Sequence, residues 1–318
     1  MLDIHQLNVF LVAAETLNFT QAAQRLHMTQ PSVSQHIQAL ERHFDEVLFL
    51  RNGRTLELTD AGLALIPMAR EAVSISIRID ETMASLKGNV HGHLMVGCST
   101  TPGKYVLPPL LARFHRRHPQ VRVTCQVTTQ DHALTSLSAG NVHFALSSMP
   151  LETYPDLDFH QFMCDPVVLV APLTHPWAQR EQIELNELSQ ADFILREEGS
   201  GTHQALTEAL SQVGFSIYEL NTLLTLGNSE AIALSIQEGL GVGFISELVL
   251  NRLGEGRLAK VKVRGLEIMR IIYIARNTRR PATVAQTAFW EFIHSADNPI
   301  SCAQKQAEPI QAAAALPR

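Results

Sequence analysis

The chain has 318 residues, a formal net charge of −6 and 46% hydrophobic residues, the composition of an ordinary globular protein long enough for two or three domains. No apolar run approaches the ~18 residues of a membrane span. The N-terminus carries His5, Gln6 and Asn8 rather than a basic-then-apolar signal pattern, so a cytoplasmic protein with no membrane partner is expected.

Residues 18–59 are the most informative stretch. A short apolar helix (Ala22, Ala23, Leu26) runs into the polar turn His27-Met28. A second helix then opens with Thr29-Gln30-Pro31: Thr29 can cap it, and Pro31 suits a first turn, where no intrahelical N–H is lost. Val33, Ile37 and Leu40 form one buried stripe at helical spacing. Gln30, Pro31, Ser32, Ser34, Gln35 and Gln38 lie off that stripe. Short neutral donors and acceptors at the start of a second helix suit a helix-turn-helix reading base edges in the major groove of double-stranded DNA. A hairpin-like segment follows with Arg51-Asn52-Gly53-Arg54 at its tip. Arg51 and Arg54 on such a wing would reach the flanking backbone or minor groove. The charge runs against this reading. Residues 1–60 hold four arginines and seven acids, a net of −3, where a phosphate-facing domain should carry a basic face. Weak non-specific DNA binding is therefore expected.

Thr59 and Asp60 start a helix expected to reach about residue 87. Leu65, Met68, Ala72, Ile75, Ile79 and Leu86 fall on one seam, with Thr82 as a polar slot, which is coiled-coil spacing. Pro67 should bend the helix near its start. The seam points to a dimerisation linker, with packing onto the chain's own C-terminal part as the other reading. From residue 93 onward strands and helices alternate. Strands are expected at 93–98, 121–127, 143–147, 167–171, 193–195, 223–226 and 242–245. Helices are expected around 110–117, 131–139, 202–213, 229–238 and 246–253. That alternation implies a mostly parallel α/β architecture.

The run AAQRLHMTQPSVSQHIQALE, then LFLRNGRTLELTDAG, resembles the winged helix-turn-helix of LysR-type transcriptional regulators. The resemblance extends from about residue 4 to about 296 through LPPLLARFHRRHP, LVAPLTHPWA, FILREEGSGTH and EAIALSIQEGLGVGFIS. It implies an α/β protein with an all-α-type winged helix-turn-helix domain (1–60), a dimerisation linker helix (61–90) and a two-lobed periplasmic-binding-protein-like module (91–296). Lobe 1 would span about 91–163 and 267–296, and lobe 2 about 164–266. Residues 297–318, rich in Ala, Gln and Pro, read as a flexible tail. Three positions depart from the family pattern. Asp45 stands where the family usually has Gly after the recognition helix, at a left-handed backbone position. His143 stands in place of a common Asp, and His203 in place of a common Arg.

Ligands of open α/β lobes lie beyond the carboxyl ends of strands, near free helix N–H groups. Four such junctions are polar: Ser99-Thr100-Thr101, Thr128-Thr129, residues 196–203, and Gly227-Asn228-Ser229. By resemblance, Ser99, Thr101, Thr129 and Thr202 match positions that often line an interlobe effector cleft. Thr100, His203 and Asn228 complete the expected set. A small polar or anionic metabolite fits such hydroxyls and amides, although each hydroxyl also reads as a helix N-cap. Arg196 would add a fixed positive charge, or pair with Glu197 or Glu198.

Catalytic signals are weak. Gly199-Ser200-Gly201 lacks the G-x-S-x-G frame. Gly239-Leu240-Gly241-Val242-Gly243 follows a helix rather than a strand and fails as a dinucleotide loop. His91/His93 and His115/His118 have no completing zinc ligands. No cofactor and no enzyme activity are expected. Cys98, Cys125, Cys164 and Cys302 match no metal or redox spacing. They read as reduced thiols with no resolving partner nearby, three of them in strands. The expected function is a DNA-binding regulator controlled by a small effector. It would act as a dimer or dimer of dimers (a homotetramer) on an operator, with RNA polymerase as a further partner. The alternatives are a DNA-binding regulator with an empty cleft under a partner protein's control, and an enzyme or solute carrier using the two-lobed module.

Overall fold

The computed structural model describes residues 1–52, 55–86, 88–148, 154–295, 298 and 300. The chain divides into two compact units, Met1–His91 and Gly92–Arg318. Arg54, Cys302 and nearly all of the expected tail lie outside the described residues.

The first unit is built from α1 (Ile4–Thr16), α2 (Phe19–Leu26), α3 (Gln30–Phe44), the antiparallel hairpin β1 (Phe49–Asn52) and β2 (Thr55–Leu58), and α4 (Asp60–Ser85). Each helix start is chemically marked. Asn18 accepts from the N–H groups of Thr20 and Gln21, Thr29 from Ser32, and Thr59 from Gly62, which satisfies donors the helix itself leaves free. Three helix ends turn through left-handed residues without glycine: Leu17, His27 and Asp45, the last at φ 55°. Phe10, Ala22, Val33, Ile37, Leu40 and Leu48 make the core, with Phe49 against both Phe10 and Phe19. Glu41 ties the hairpin to α3 by accepting from the Leu48 N–H at 2.9 Å.

Since Asp45 pays a steric cost that glycine avoids, Asp45→Gly is expected to stabilise this unit by about 0.5–1 kcal/mol. Denaturant unfolding followed by circular dichroism measures it. A destabilised variant would mean that Asp45 contributes something its backbone angles do not reveal.

The seam expected along α4 divides into two. Leu65 is buried in the first unit's own core with Ala69, and Ala72 packs against that core. Met68, Ile75, Ile79, Met83 and Leu86 remain exposed, Ile75 at 41% and Ile79 at 56%. The helix runs on through Pro67. No helix among the described residues is long and apolar enough to cross a membrane.

The second unit carries a mixed sheet. On one side, β3 (Gly92–Cys98) lies between β4 (Val121–Val127) and β5 (Phe144–Ser147), all parallel. A π-helical turn (Pro102–Val106), α5 (Leu107–Arg117) and α6 (Gln130–Ala139) form their crossovers. On the other side, β7 (Asp192–Arg196) lies between β8 (Asn221–Leu226) and β9 (Val242–Ser246), again parallel, with α7 (Gly201–Gln212) and α8 (Ser229–Gln237) as crossovers. The two halves are joined by the long strand β6 (Leu157–Pro172) and by β11 (Ile268–Asn277). These two strands pair antiparallel with each other; β11 also pairs with β5, and β6 with β9.

The expectation of a mostly parallel sheet is therefore corrected. The parallel character is real within each lobe, but the strands that join the lobes run the other way. The strand expected at 167–171 is only the second half of β6. Both β10 (Leu258–Val261), which pairs with β6, and β11 went unread. The helix expected at 246–253 resolves into α9 (Glu247–Val249) and a π-helical turn at Leu250–Gly254. After β11 the chain ends its described fold in α10 (Val284–His294), whose Phe289 packs edge-on against Phe114 and tilted against Phe144.

Candidate functional site

In the first unit, α3 buries Val33, Ile37 and Leu40 and turns its other face outward. Gln30, Pro31, Gln35 and Gln38 are exposed, and Ser32 and Ser34 are half-buried. Pro31 sits in the first turn, so it costs no hydrogen bond there. Arg51 belongs to β1, opposite Leu56. The surface combines exposed amides at a helix start with a short two-stranded wing.

In the second unit, the carboxyl ends of β3, β4, β7 and β8 meet around a cleft of about 520 Å³. Ser99, Thr100, Thr101 and Thr129 line it, together with Thr128, Gln130, Arg196 and Arg270. Thr202, His203 and Asn228, also expected there, are not among the residues that line it. Thr202 is 1% exposed, and its hydroxyl accepts from Arg270 Nη1 at 3.1 Å. Asn228 spends its side-chain oxygen capping α8, accepting from the Ala231 N–H at 2.7 Å. His203 lies in the first turn of α7, where its backbone carbonyl accepts from the Thr207 hydroxyl. The N-cap reading also holds for Thr129, which accepts from the His132 N–H.

Two residues central to this cleft were not anticipated. Arg270, on β11, is 5% exposed and pairs with Asp165 of β6, which is 0% exposed and also accepts from Ser246 Oγ at 2.7 Å. Its Nε is buried and has no hydrogen-bond partner among the described residues. A buried N–H left open on a cleft wall is costly unless something binds it. Gln130 is the second. Its Nε2 donates to Gly199 O at 2.7 Å and to Gln204, while its Oε1 accepts from the Ser148 hydroxyl at 2.9 Å. One side chain thus spans both lobes. A second clasp joins Lys104 and Tyr105 of one lobe to Glu230 of the other. Burial pushes the Glu230 carboxyl up, but the bonds from Lys104 and Tyr105 outweigh it and hold the group below its ordinary range. The Tyr105 hydroxyl is pushed up by burial and by this carboxylate.

Arg196 takes the paired alternative. Its Nε and Nη2 donate to Glu197 at 2.7 and 2.8 Å. Burial alone would raise the Glu197 carboxyl; the guanidinium reverses this and lowers it. His143 is structural: its Nδ1 accepts from the Met95 N–H at 3.1 Å, and burial lowers its pKa to about 4. Among the described residues no group of His, Cys, Asp and Glu is placed to hold a metal ion. The expectation that no cysteine has a neighbour is overturned: Cys98 and Cys125 lie with their sulfurs 3.6 Å apart. Strand pairing brings together what sequence spacing kept apart.

Residues 4–63 match the model of the bacterial regulatory helix-turn-helix protein, lysR family, and residues 87–298 match the LysR substrate binding domain. An uncharacterized HTH-type transcriptional regulator of Methanocaldococcus jannaschii is 32% identical over 292 residues, covering 91% of this chain and 98% of that protein. The HTH-type transcriptional activator CmpR of a Synechocystis species is 30% identical over 304 residues, covering 95% of this chain and 98% of that one. The solved regulatory domain of Synechocystis CcmR, in complex with 2-PG, is 26% identical with a TM-score of 0.59, covering 68% of this chain and 99% of that domain. With a helix-turn-helix unit followed by a two-lobed, cleft-bearing module, and with both family models matched in that order, the chain belongs to the LysR-type transcriptional regulators.

Proposed function

We propose that this regulator reads its operator with Gln30, Pro31, Ser32, Ser34, Gln35 and Gln38 of α3 in the major groove, while Arg51 and Arg54 of the wing hold the flanking backbone. Residues 1–60 are the DNA-binding domain, 61–90 the pairing helix, and 91–296 the effector module. The effector is a small polar or anionic molecule in the cleft lined by Ser99, Thr100, Thr101 and Thr129. The observation that carries the effector reading is Arg270, a residue of the cleft lining whose buried Nε–H has no hydrogen-bond partner among the described residues. Arg270 and Gln130 replace Thr202, His203 and Asn228 as the residues we assign to effector contact. Binding favours one relative placement of the lobes, which shifts the population of DNA-bound arrangements. The protein works in the cytoplasm as a dimer or dimer of dimers, and RNA polymerase is the partner that its output reaches.

Genomic footprinting with and without candidate metabolites tests the reading, and 2-PG, the ligand of the CcmR domain, is the first to screen. Within the footprint, Gln30→Ala is expected to relax preference at one base pair per half-site by about 1–3 kcal/mol. Equal affinity of wild type and Gln30→Ala for every single-base operator variant would remove α3 from the major groove.

The exposed face of α4 supports the pairing role. Changing Ile75 and Ile79 together to Asp places like charges at that face and is expected to halve the sedimenting mass. Operator affinity should then fall, because two half-sites no longer act together. An unchanged mass would assign self-association to another surface.

A further inference from the structure

We propose that Cys98 and Cys125 form a dithiol that a peroxide oxidises to a reversible disulfide, altering the wall of the effector cleft. Cys98 closes β3 and Cys125 lies on the neighbouring strand β4. The register sets Cys98 opposite Val127 and Cys125 opposite Val96. The two cysteines are thus offset by an even number of residues and point from the same face of the sheet. Their sulfurs are 3.6 Å apart. Their access to solvent differs: Cys125 is exposed and Cys98 is buried. The exposed thiol can meet an oxidant in solution, and the buried one is shielded from direct attack but lies within reach of its neighbour.

The chemistry closes with a peroxide as the only co-reactant. The Cys125 thiolate attacks one peroxide oxygen, an S–O bond forms, the O–O bond breaks, and the departing oxygen leaves as water after taking a proton. Cys98 sulfur then attacks Cys125 sulfur. The S–S bond forms, the S–O bond breaks, and a second water leaves with the Cys98 proton. Two thiols lose two electrons and two protons, and one peroxide becomes two waters. Exposure assigns the roles: Cys125, open to solvent, meets the peroxide, and Cys98, buried behind it, resolves the sulfenic acid.

Closure requires the sulfurs to approach from 3.6 Å to about 2.05 Å. Because the pair is diagonal across the strands, the end of β3 must shift. The cleft is attached directly to that end. Ser99, Thr100 and Thr101 follow Cys98 in the chain and line the cleft. Gly103, in the next turn, lies so close that a Cβ there would sit 2.8 Å from Cys98 Sγ. The same turn carries Lys104 and Tyr105, which clasp Glu230 of the other lobe. A disulfide formed with such displacement is readily reduced, as a reversible device requires.

The test uses the full-length protein, reduced and then treated with hydrogen peroxide. Of four cysteines per chain, accessible thiols measured under denaturing conditions should fall from four to two and return to four with dithiothreitol. Digestion with trypsin and with a protease that cuts before Asp131 separates Cys125 from Cys164, and mass spectrometry should find Cys98 linked to Cys125. Cys98→Ala should retain an oxidisable Cys125 but form no such link, and Cys125→Ser should keep Cys98 reduced. Amide exchange across residues 99–106 should change on oxidation of the wild type and stay constant in peroxide-treated Cys125→Ser. Loss of a single thiol, a link from Cys125 to Cys164 or Cys302, or a link between subunits overturns the pair. Unchanged exchange across 99–106 in protein carrying the Cys98–Cys125 link overturns its coupling to the cleft.

Discussion

Asp165→Ala is expected to destabilise the second unit by about 3–5 kcal/mol, the usual cost of leaving a buried charge without its partner. Asp165 is fully buried, and it balances Arg270 while also accepting from Ser246. Among the described residues, the guanidinium left behind keeps only the Thr202 hydroxyl as a hydrogen-bond partner. Replacing both members, as Arg270→Met with Asp165→Leu, should recover most of the loss, because both desolvation costs vanish together. Urea unfolding of the two variants against wild type gives the coupling. The double variant should also lose its thermal response to a ligand that Arg270 holds. A loss below about 1 kcal/mol in Asp165→Ala would show that water reaches the pair and screens it.

A second large effect concerns pH. His143 titrates near 6.5 in an unfolded chain, while burial lowers it to about 4 in the fold. Between these values the unfolded chain holds a proton that the folded chain does not. Stability from this site is therefore complete above about pH 6.5 and is lost as pH falls toward 4, by about 3 kcal/mol in all. His143→Asn keeps an acceptor for the Met95 N–H and removes the titration. Its unfolding free energy should change less between pH 7 and pH 4.5 than that of wild type. Parallel pH profiles for the two proteins would assign the acid sensitivity to other groups, His93 beside it being the first to test.

The parts of the fold governed by local chemistry were legible in the sequence. Thr29 and Pro31 marked the start of α3, and Val33, Ile37 and Leu40 gave its buried side. Parallel strands bounded by hydroxyl-rich turns, such as β4 before Thr128-Thr129, were legible as well. What escaped was non-local. The run IMRIIYIARN forms a strand whose inward residues Ile268, Arg270, Ile272 and Ile274 alternate at a strand's period. An arginine inside that alternation was a signal, because a buried guanidinium requires a buried acid. Its acid, Asp165, lies over a hundred residues earlier, and no spacing rule reaches so far. The cleft was legible through its junctions, as were the hydroxyls of Ser99, Thr100, Thr101 and Thr129 in its lining, but not how the neighbouring polar groups are used. Thr202 and Asn228 have the right chemistry and spend it on Arg270 and on a helix cap. The seam of α4 was misassigned at Leu65 and Ala72 because periodicity does not tell which neighbour covers a residue.

The pairing of β11 with β5 and β6 has a consequence for how the protein is made. Strands β7, β8 and β9 and their helices form a continuous stretch of chain, from residue 192 to 246. The lobe containing β3, β4 and β5 is different. Its sheet is completed only when β11 pairs with β5, and its face is covered only when α10 brings Phe289 against Phe114 and Phe144. On the ribosome, which delivers the chain from its N-terminus, the first unit and then the lobe around β7 can assemble while β5 still presents an open edge. That edge stays unpaired for well over a hundred residues of synthesis. It is the surface most exposed to wrong strand pairing, and the place where a chaperone or a slower rate of translation would most improve the yield of native protein.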